Sequence, residues 1–397
     1  MRRAAAIYRR TAGRRVRWIG VGGSFGKTTA AAAISAVLDL PARRPPYRNA
    51  TSHFALRILT TPPWRRHGVV EIGVAVPGEM GRYCGVLLPD VAVVLSIGSE
   101  HHTSFRTLDA IAAEEAELVR ALGSGGTAYL NADDPRVGAM SADCRGRVVS
   151  FGFGEGCAVR GRELELRWPV GMRFTVEAPG LERFDVQTRL LGGRMATAAL
   201  AAIAVGLHEG ISPADLQQRL ARMEACDGRM QLQTLPSGAV LIRDDFKSAQ
   251  ETIVAAMETL AAVPAVRRVL VLGDVTEPFG SANQVYHDYG ERSVSSADFA
   301  LFLGSGWRKF MAGARRVPGG ERRALAMPRD VAGAIRWLHA NLREGDAVVI
   351  KGRSEERLGR IAHALGGREV RCTIPVCHFK ATACGQCAML ERGWDRQ

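Results

Sequence analysis

The chain has 397 residues, 47% of them hydrophobic, with 53 Lys plus Arg against 40 Asp plus Glu and a formal net charge of +13. A chain of this length can bury about two or three separate cores, and no uncharged apolar run approaches the ~20 residues of a membrane span, so a soluble, cytoplasmic globular protein is expected. The positive balance raises nucleic acid as a partner, but the arginines are spread along the chain with no basic tail or basic-aromatic cluster, so neither a nucleic-acid nor a membrane partner is expected.

The opening Met1-Arg2-Arg3-Ala4-Ala5-Ala6 is basic but lacks an apolar core before Arg9, Arg10, Arg14 and Arg15, so no secretory leader is read there. The first strand is expected over residues 16–21. It feeds Gly23-Ser24-Phe25-Gly26-Lys27-Thr28-Thr29, and an alanine-rich helix is expected over 30–38. A strand, a glycine turn and a helix start together aim backbone N–H groups and the positive end of the helix dipole at one point, which favours an anion such as a nucleotide phosphate. Lys27 is placed to reach the outer phosphates and the Thr28 hydroxyl to hold Mg²⁺. The only other lysines are Lys247, Lys309, Lys351 and Lys380. Arginine therefore supplies charge almost everywhere else, and position 27 uses the compact ammonium that fits inside a phosphate loop.

Residues 69–74, 91–97 and 127–130 read as strands separated by helical patterns such as 107–122, an alternation that implies a parallel sheet covered by helices. From 148 to 190 the pattern changes to short alternating strands (163–168, 173–177, 185–190) that read as an antiparallel side sheet. Helices follow over 194–208 and 213–223, the second with a Ser212-Pro213 start and Asp215 in its first turn. After Gly228, strands at 240–244, 269–273, 299–303 and 347–351, with helices starting at Glu251, Arg329 and Ser354, describe a smaller doubly wound unit. The expected fold is α/β: a P-loop parallel-sheet ATPase domain with an antiparallel side sheet (1–226), a Rossmann-like domain (227–370) and a short Cys-rich tail (371–397).

In that tail, four of the eight cysteines form Cys372-x₄-Cys377-His378-x₅-Cys384-x₂-Cys387. A compact cluster in a cytosolic chain suggests a thiolate metal site, most simply tetrahedral Zn²⁺, with an iron–sulfur cluster, disulfides or plain thiols as alternatives. A structural knuckle that docks a protein partner fits such a tail better than catalysis.

The loop at 23–29 resembles that of the Mur ligase family, ATP-dependent amide-forming ligases. Further motifs agree in order: Glu71-Ile72-Gly73 with Pro77-Gly78-Glu79-Met80, Pro89-Asp90-Val91-Ala92-Val93-Val94, Leu130-Asn131-Ala132-Asp133-Asp134-Pro135, Gly228-Arg229-Met230, Val271-Leu272-Gly273-Asp274 and Val349-Ile350-Lys351-Gly352-Arg353. The resemblance implies that ATP phosphorylates a substrate carboxylate and that an amine attacks the acyl phosphate. Small-molecule acid and amine substrates, ATP and Mg²⁺ follow from it. It also implies site roles: Gly23, Ser24, Gly26, Lys27, Thr28 and Thr29 around the phosphates, and Thr28, Glu71 and His101 on Mg²⁺. Arg229 would contact the γ-phosphate, Asp245 and Lys247 ribose and phosphate. Closure of the second domain would exclude water.

The chain departs from the family pattern in several places. Glu115 stands where many members carry a carbamylated lysine, and could serve the same metal as a built-in anion; equally, Glu114, Glu115 and Glu117 could form a solvated helix face. Gly193-Arg194-Met195-Ala196 replaces a start that carries asparagines, and Ser96 replaces an asparagine. About fifteen residues precede the first strand, from which a substrate other than a UDP-muramyl peptide is expected, as in specialised metabolism or poly-amino-acid synthesis. The alternative from another class is a degenerate relative that binds nucleotide and serves as a partner-binding subunit.

Overall fold

The computed structural model describes residues 1–41, 51–379 and 382–394. These divide into two compact units, Met1–Glu224 and Ala225–Gln397. Among the described residues no helix is long and apolar enough to cross a membrane.

The first unit is built on eight strands: β1 (Arg17–Gly22), β2 (His67–Glu71), β3 (Val91–Val94), β4 (Thr127–Asn131), β5 (Arg147–Gly152), β6 (Val159–Arg167), β7 (Gly171–Glu177) and β8 (Phe184–Thr188). They lie in the order β2-β1-β3-β4-β5-β6-β7-β8. From β2 to β6 neighbours are parallel, with Ile19 facing Val69 on one side and Val91 on the other. Every residue of β3 and β4 is buried, as expected where helices cover both faces of a parallel sheet. The antiparallel part is confined to β6-β7-β8. It does not stand beside the parallel sheet but extends its edge, and β5, which begins the segment read as antiparallel, is still parallel to β4.

Because the chain leaves β1 for β2 on one side and returns to β3 on the other, the carboxyl end of β1 is a topological switch point, where a crevice opens between diverging loops. The glycine loop occupies that end, and the helix Lys27–Val37 follows it. This helix packs on Gly193–His208. Both present alanines at buried positions, Ala30 and Ala33 in one and Ala198, Ala201 and Ala202 in the other, and small side chains let helix axes approach. The sequence pattern does not announce the helix at Arg2–Arg10. It is tied down by the buried Arg9, which donates to the carbonyls of Leu87 (2.8 Å) and Leu88 (2.9 Å) and to Asp90 (3.1 Å).

The second unit holds β9 (Gln231–Thr234), β10 (Val240–Asp244), β11 (Arg268–Leu272), β12 (Phe299–Phe302), β13 (Ala324–Ala326) and β14 (Ala347–Lys351), ordered β13-β12-β11-β14-β10-β9. All pairs are parallel except β9 on β10. The two edge strands, β9 and β13, are only four and three residues long, too short for a strand pattern to stand out in the sequence. One core, including Leu241, Val271, Leu301, Val348 and Ile361, fills a face of this sheet. The Cys-rich tail belongs to the same unit, where it ends in a helical turn, Met389–Arg392, that buries Leu390.

Candidate functional site

The loop after β1 is shaped by two glycines with left-handed backbone. Gly23 has φ 112°, and a Cβ there would stand 3.0 Å from the Ser96 backbone N and O. Gly26, φ 85°, is the N-cap of the helix Lys27–Val37 and leaves that helix start without a side-chain cap. Its first backbone N–H groups are therefore available to an anionic ligand. Lys27 is 6% exposed, and its Nζ lies within the loop, donating to the carbonyls of Gly23 and Ser24.

Several groups outside the loop fix its path. The Ser24 N–H donates to the Ser96 carbonyl (2.7 Å), the Phe25 N–H to the Ser96 hydroxyl (3.1 Å), and the Gly98 N–H to the Ser24 hydroxyl (2.9 Å). Asn131 donates to the Leu95 carbonyl (2.8 Å), holding the segment after β3 that carries Ser96. The serine that replaces the family's asparagine is thus a loop latch. Its role escapes a sequence reading, since nothing in a strand-end serine announces a partner 71 residues away. The Arg194 guanidinium lies 5.3 Å from the Phe25 ring centroid, and the Thr29 hydroxyl contacts the Met195 sulfur at 3.4 Å. The altered helix start therefore still meets the loop, through an apolar sulfur and a cation–π contact.

Glu71, at the end of β2, accepts a hydrogen bond from the Thr28 hydroxyl at 3.1 Å. Two oxygen donors of the kind Mg²⁺ prefers are therefore paired beside the lysine. His101 begins the short helix after β3 as its N-cap, with φ 61°, and its Nε2 stands 3.7 Å from Glu100. Among the described residues no three His, Cys, Asp or Glu side chains converge on one point, so Glu71, His101 and Glu115 do not form a preassembled cluster.

Glu115 is 2% exposed. Its Oε2 accepts the Gly23 N–H at 2.8 Å and would lie 2.7 Å from a Cβ at Gly22, so both glycines leave room for this carboxylate. Burial pushes its pKa from 4.5 up to about 7, against the opposing pull of Lys27 and of the Gly23 N–H. Glu114 is also buried and accepts from the N–H groups of Gly78 (2.8 Å) and Met80 (2.7 Å). The solvated-face reading therefore fails for Glu114 and Glu115 and holds only for Glu117, which pairs with the half-exposed Arg120.

In the second unit, Arg229 stacks on Phe246, 4.4 Å from its centroid. Asp245 is held by Arg243 (3.2 Å) beside the turn at Gly228, and Lys247 follows on the same loop. Tyr47, Arg48 and Asn49, where a substrate loop is expected, lie outside the described residues, as do the side chains of Thr51, Ser52 and His53.

The expected zinc knuckle is not formed. Cys372, Cys377, Cys384 and Cys387 are free thiols and, among the described residues, make no cluster able to hold a metal. The tail's path is set instead by its main chain. Arg360 donates to the Cys372 carbonyl (2.8 Å), Arg357 to those of Phe379 and Thr382, and the Cys377 N–H to the Glu355 carbonyl (2.8 Å). Burial pushes the Cys384 thiol up to about 11.

The Mur ligase middle domain model matches residues 21–206, and the Mur ligase, glutamate ligase domain model matches residues 228–354. The UDP-N-acetylmuramoyl-tripeptide–D-alanyl-D-alanine ligase of Mycobacterium leprae is 28% identical over 380 residues, covering 88% of this chain and 73% of that protein. The enzyme of that name from Bacillus subtilis is 28% identical over 292 residues, 72% of this chain and 62% of its own. In three dimensions the chain resembles MurF from Acinetobacter baumannii, with a TM-score of 0.79 at 22% identity over 92% of this chain and 81% of that one. It likewise resembles the MurF ligase from Thermotoga maritima in complex with ADP, with a TM-score of 0.77 at 20% identity over 92% and 83% of the two chains. At these identities the structural likeness is one of fold.

Proposed function

The chain belongs to the Mur ligase family, with the middle and glutamate-ligase domains in order, and from that premise we propose that it is an ATP-dependent ligase that forms an amide between a carboxylic acid and an amine. The observation that carries this reading is the loop itself: Lys27 buried against the loop carbonyls of Gly23 and Ser24 at a helix start without a side-chain cap, with the Thr28–Glu71 oxygen pair beside it. The hard-oxygen donor set suits Mg²⁺, and the glycine-lined turn suits phosphate oxygens.

Bound Mg-ATP would supply the phosphoryl group that turns the acid into an acyl phosphate open to attack by the amine. Lys27 would neutralise charge on the outer phosphates, and Thr28 and Glu71 would hold the metal between them; positioning and charge neutralisation are what such chemistry asks of a protein. Gly23, Ser24, Gly26 and Thr29 keep the turn open for the anion. Glu115 sits beneath the loop and is engaged with Gly23, so it positions the loop before it serves any metal; His101 is the remaining candidate ligand. Arg229, Asp245 and Lys247 of the second unit are assigned to nucleotide contacts on the family resemblance alone.

The acid and amine are read as amino-acid derived. That agrees with relatives whose names specify a muramoyl-tripeptide and D-alanyl-D-alanine, and a specialised acid of a different kind is open to the same assay. The test is ADP release from purified protein with Mg-ATP and panels of acids and amines, with hydroxylamine added to trap an activated acyl group. Formation of a hydroxamate that Lys27→Ala abolishes supports the reading. Nucleotide binding without hydroxamate or amide, for any acid, would favour the degenerate partner-binding subunit instead.

A further inference from the structure

The arginines recur along the whole chain, but their excess does not. Residues 1–70 hold 14 Lys plus Arg and a single acid, Asp39, a balance of +13, while the other 327 residues hold 39 of each sign. All of the net charge therefore enters the fold with the helix Arg2–Arg10, β1, the helices Lys27–Val37 and Thr51–Leu59, and β2, an edge strand of the first sheet.

Two segments bring part of that charge to one surface. On the helix Arg2–Arg10, Arg3, Ile7 and Arg10 recur at the spacing of one helical face and are exposed; the exposed Arg14 and Arg15 follow in the next turn. Beside this helix lies the turn Pro62-Pro63-Trp64-Arg65, closed by the Arg65 N–H on the Pro62 carbonyl (3.1 Å). Tyr8 donates its hydroxyl to the Thr61 carbonyl just before the turn, and the Arg17 N–H donates to the Arg66 carbonyl just after it (2.8 Å), so the turn is held at both ends. What it presents is apolar as well as basic. Trp64 is 83% and Ile7 64% exposed, and a tryptophan is seldom left so open to water.

Nearby carboxylates do not cancel the charge. Asp90 is committed to Arg9 (3.1 Å) and to the Trp18 N–H (2.8 Å), and Glu209 is buried between Arg17 (2.8 Å) and His67 (2.8 Å). Arg3, Arg14, Arg15 and Arg65 meet no carboxylate among the described residues. A surface that is cationic and apolar together fits the headgroup region of an anionic bilayer, where guanidinium groups meet lipid phosphates and a tryptophan ring sits at headgroup level. A nucleic acid would match the charge but offers Ile7 no apolar phase to enter. We propose that this flank of the first unit docks the protein on an anionic membrane surface, with Trp64 and Ile7 at the interface and Arg3, Arg10, Arg14, Arg15 and Arg65 toward the lipid phosphates.

The test floats the full chain with vesicles of phosphatidylcholine alone or with about 30% phosphatidylglycerol. The protein should bind the anionic vesicles only, its tryptophan emission should shift to shorter wavelength, and partition should fall at least about tenfold as salt rises from ~0.05 to ~0.5 M. The double variant Arg14→Glu, Arg15→Glu and the single variant Trp64→Ala should each lower the partition by roughly tenfold or more, with the wild-type melting temperature and Mg-ATP affinity retained. Trp64→Phe should keep most of the binding and lose most of the emission shift. Failure to bind anionic vesicles, equal binding to both compositions, or variants that bind like wild type overturns the proposal. Homopolymeric RNA that binds tightly and displaces the vesicles also overturns it, assigning the flank to nucleic acid.

Discussion

Replacing Glu115 by glutamine should change how stability depends on pH. In the folded protein this carboxyl is wholly buried under the glycine loop and its pKa is raised from 4.5 to about 7. Below 4.5 it is protonated whether the chain is folded or not and contributes no pH dependence. As pH rises from 4.5 to about 7 the unfolded chain releases the proton while the folded chain keeps it, so stability falls; above 7 both forms are ionised and the loss is complete. A rise of this size is worth on the order of 3 kcal/mol, at 1.36 kcal/mol per pKa unit. A glutamine side chain does not ionise, and its carbonyl can still accept the Gly23 N–H. In urea titrations followed by fluorescence of Trp18, which is fully buried in the first unit, the stability difference between Glu115→Gln and wild type should therefore move by on the order of 3 kcal/mol in favour of the variant between pH 4.5 and pH 8. Glu356 is raised to about 7 as well, but it is common to both proteins and cancels in the difference. A difference that is constant with pH, or one that favours wild type at pH 8, would refute the claim that Glu115 is a desolvated carboxyl held by the loop.

Gly23→Ala should lower the apparent nucleotide affinity and destabilise the first unit by about 1–3 kcal/mol, because alanine must adopt a left-handed backbone and its Cβ meets the Ser96 backbone; thermal melts with and without Mg-ATP read both effects. Glu71→Gln should raise the Mg²⁺ concentration needed for half-maximal nucleotide binding by roughly 10- to 100-fold, and equal Mg²⁺ titration curves would remove Glu71 from the metal site. Ser96→Ala, which strips two hydrogen bonds from Phe25, should cost about 1–3 kcal/mol, measured by denaturation, with a higher Kd for ATP. Dialysis against a zinc chelator should leave the melting temperature unchanged, and elemental analysis of the purified protein should show no stoichiometric zinc, consistent with the four separate thiols of the tail.

The parts of the site legible in the sequence are those written in local spacing. A glycine turn with lysine and two threonines can be read because strand, turn and helix start are contiguous, and Glu71 because it ends an apolar run. Glu115 cannot be resolved the same way. Its partner, the Gly23 N–H, is 92 residues distant in the chain, and helical periodicity cannot tell a carboxylate that faces solvent from one that faces a main-chain donor. The antiparallel strands are legible by alternation, but their attachment to the edge of the parallel sheet depends on β5 pairing with β6 at only two positions, which carries no pattern. The tail misleads for the opposite reason: cysteine spacing is a strong local signal, yet the fold of this segment is dictated by two arginines on the preceding helix and its approach.

Those arginines grip carbonyl oxygens, a feature that all twenty amino acids share. The moorings of the tail are consequently indifferent to which side chains it carries, and mutations at 375 and 376 can accumulate without casting the segment adrift. A segment so arranged can change its surface by exchanging those two residues, leaving the α/β framework and its buried polar network untouched.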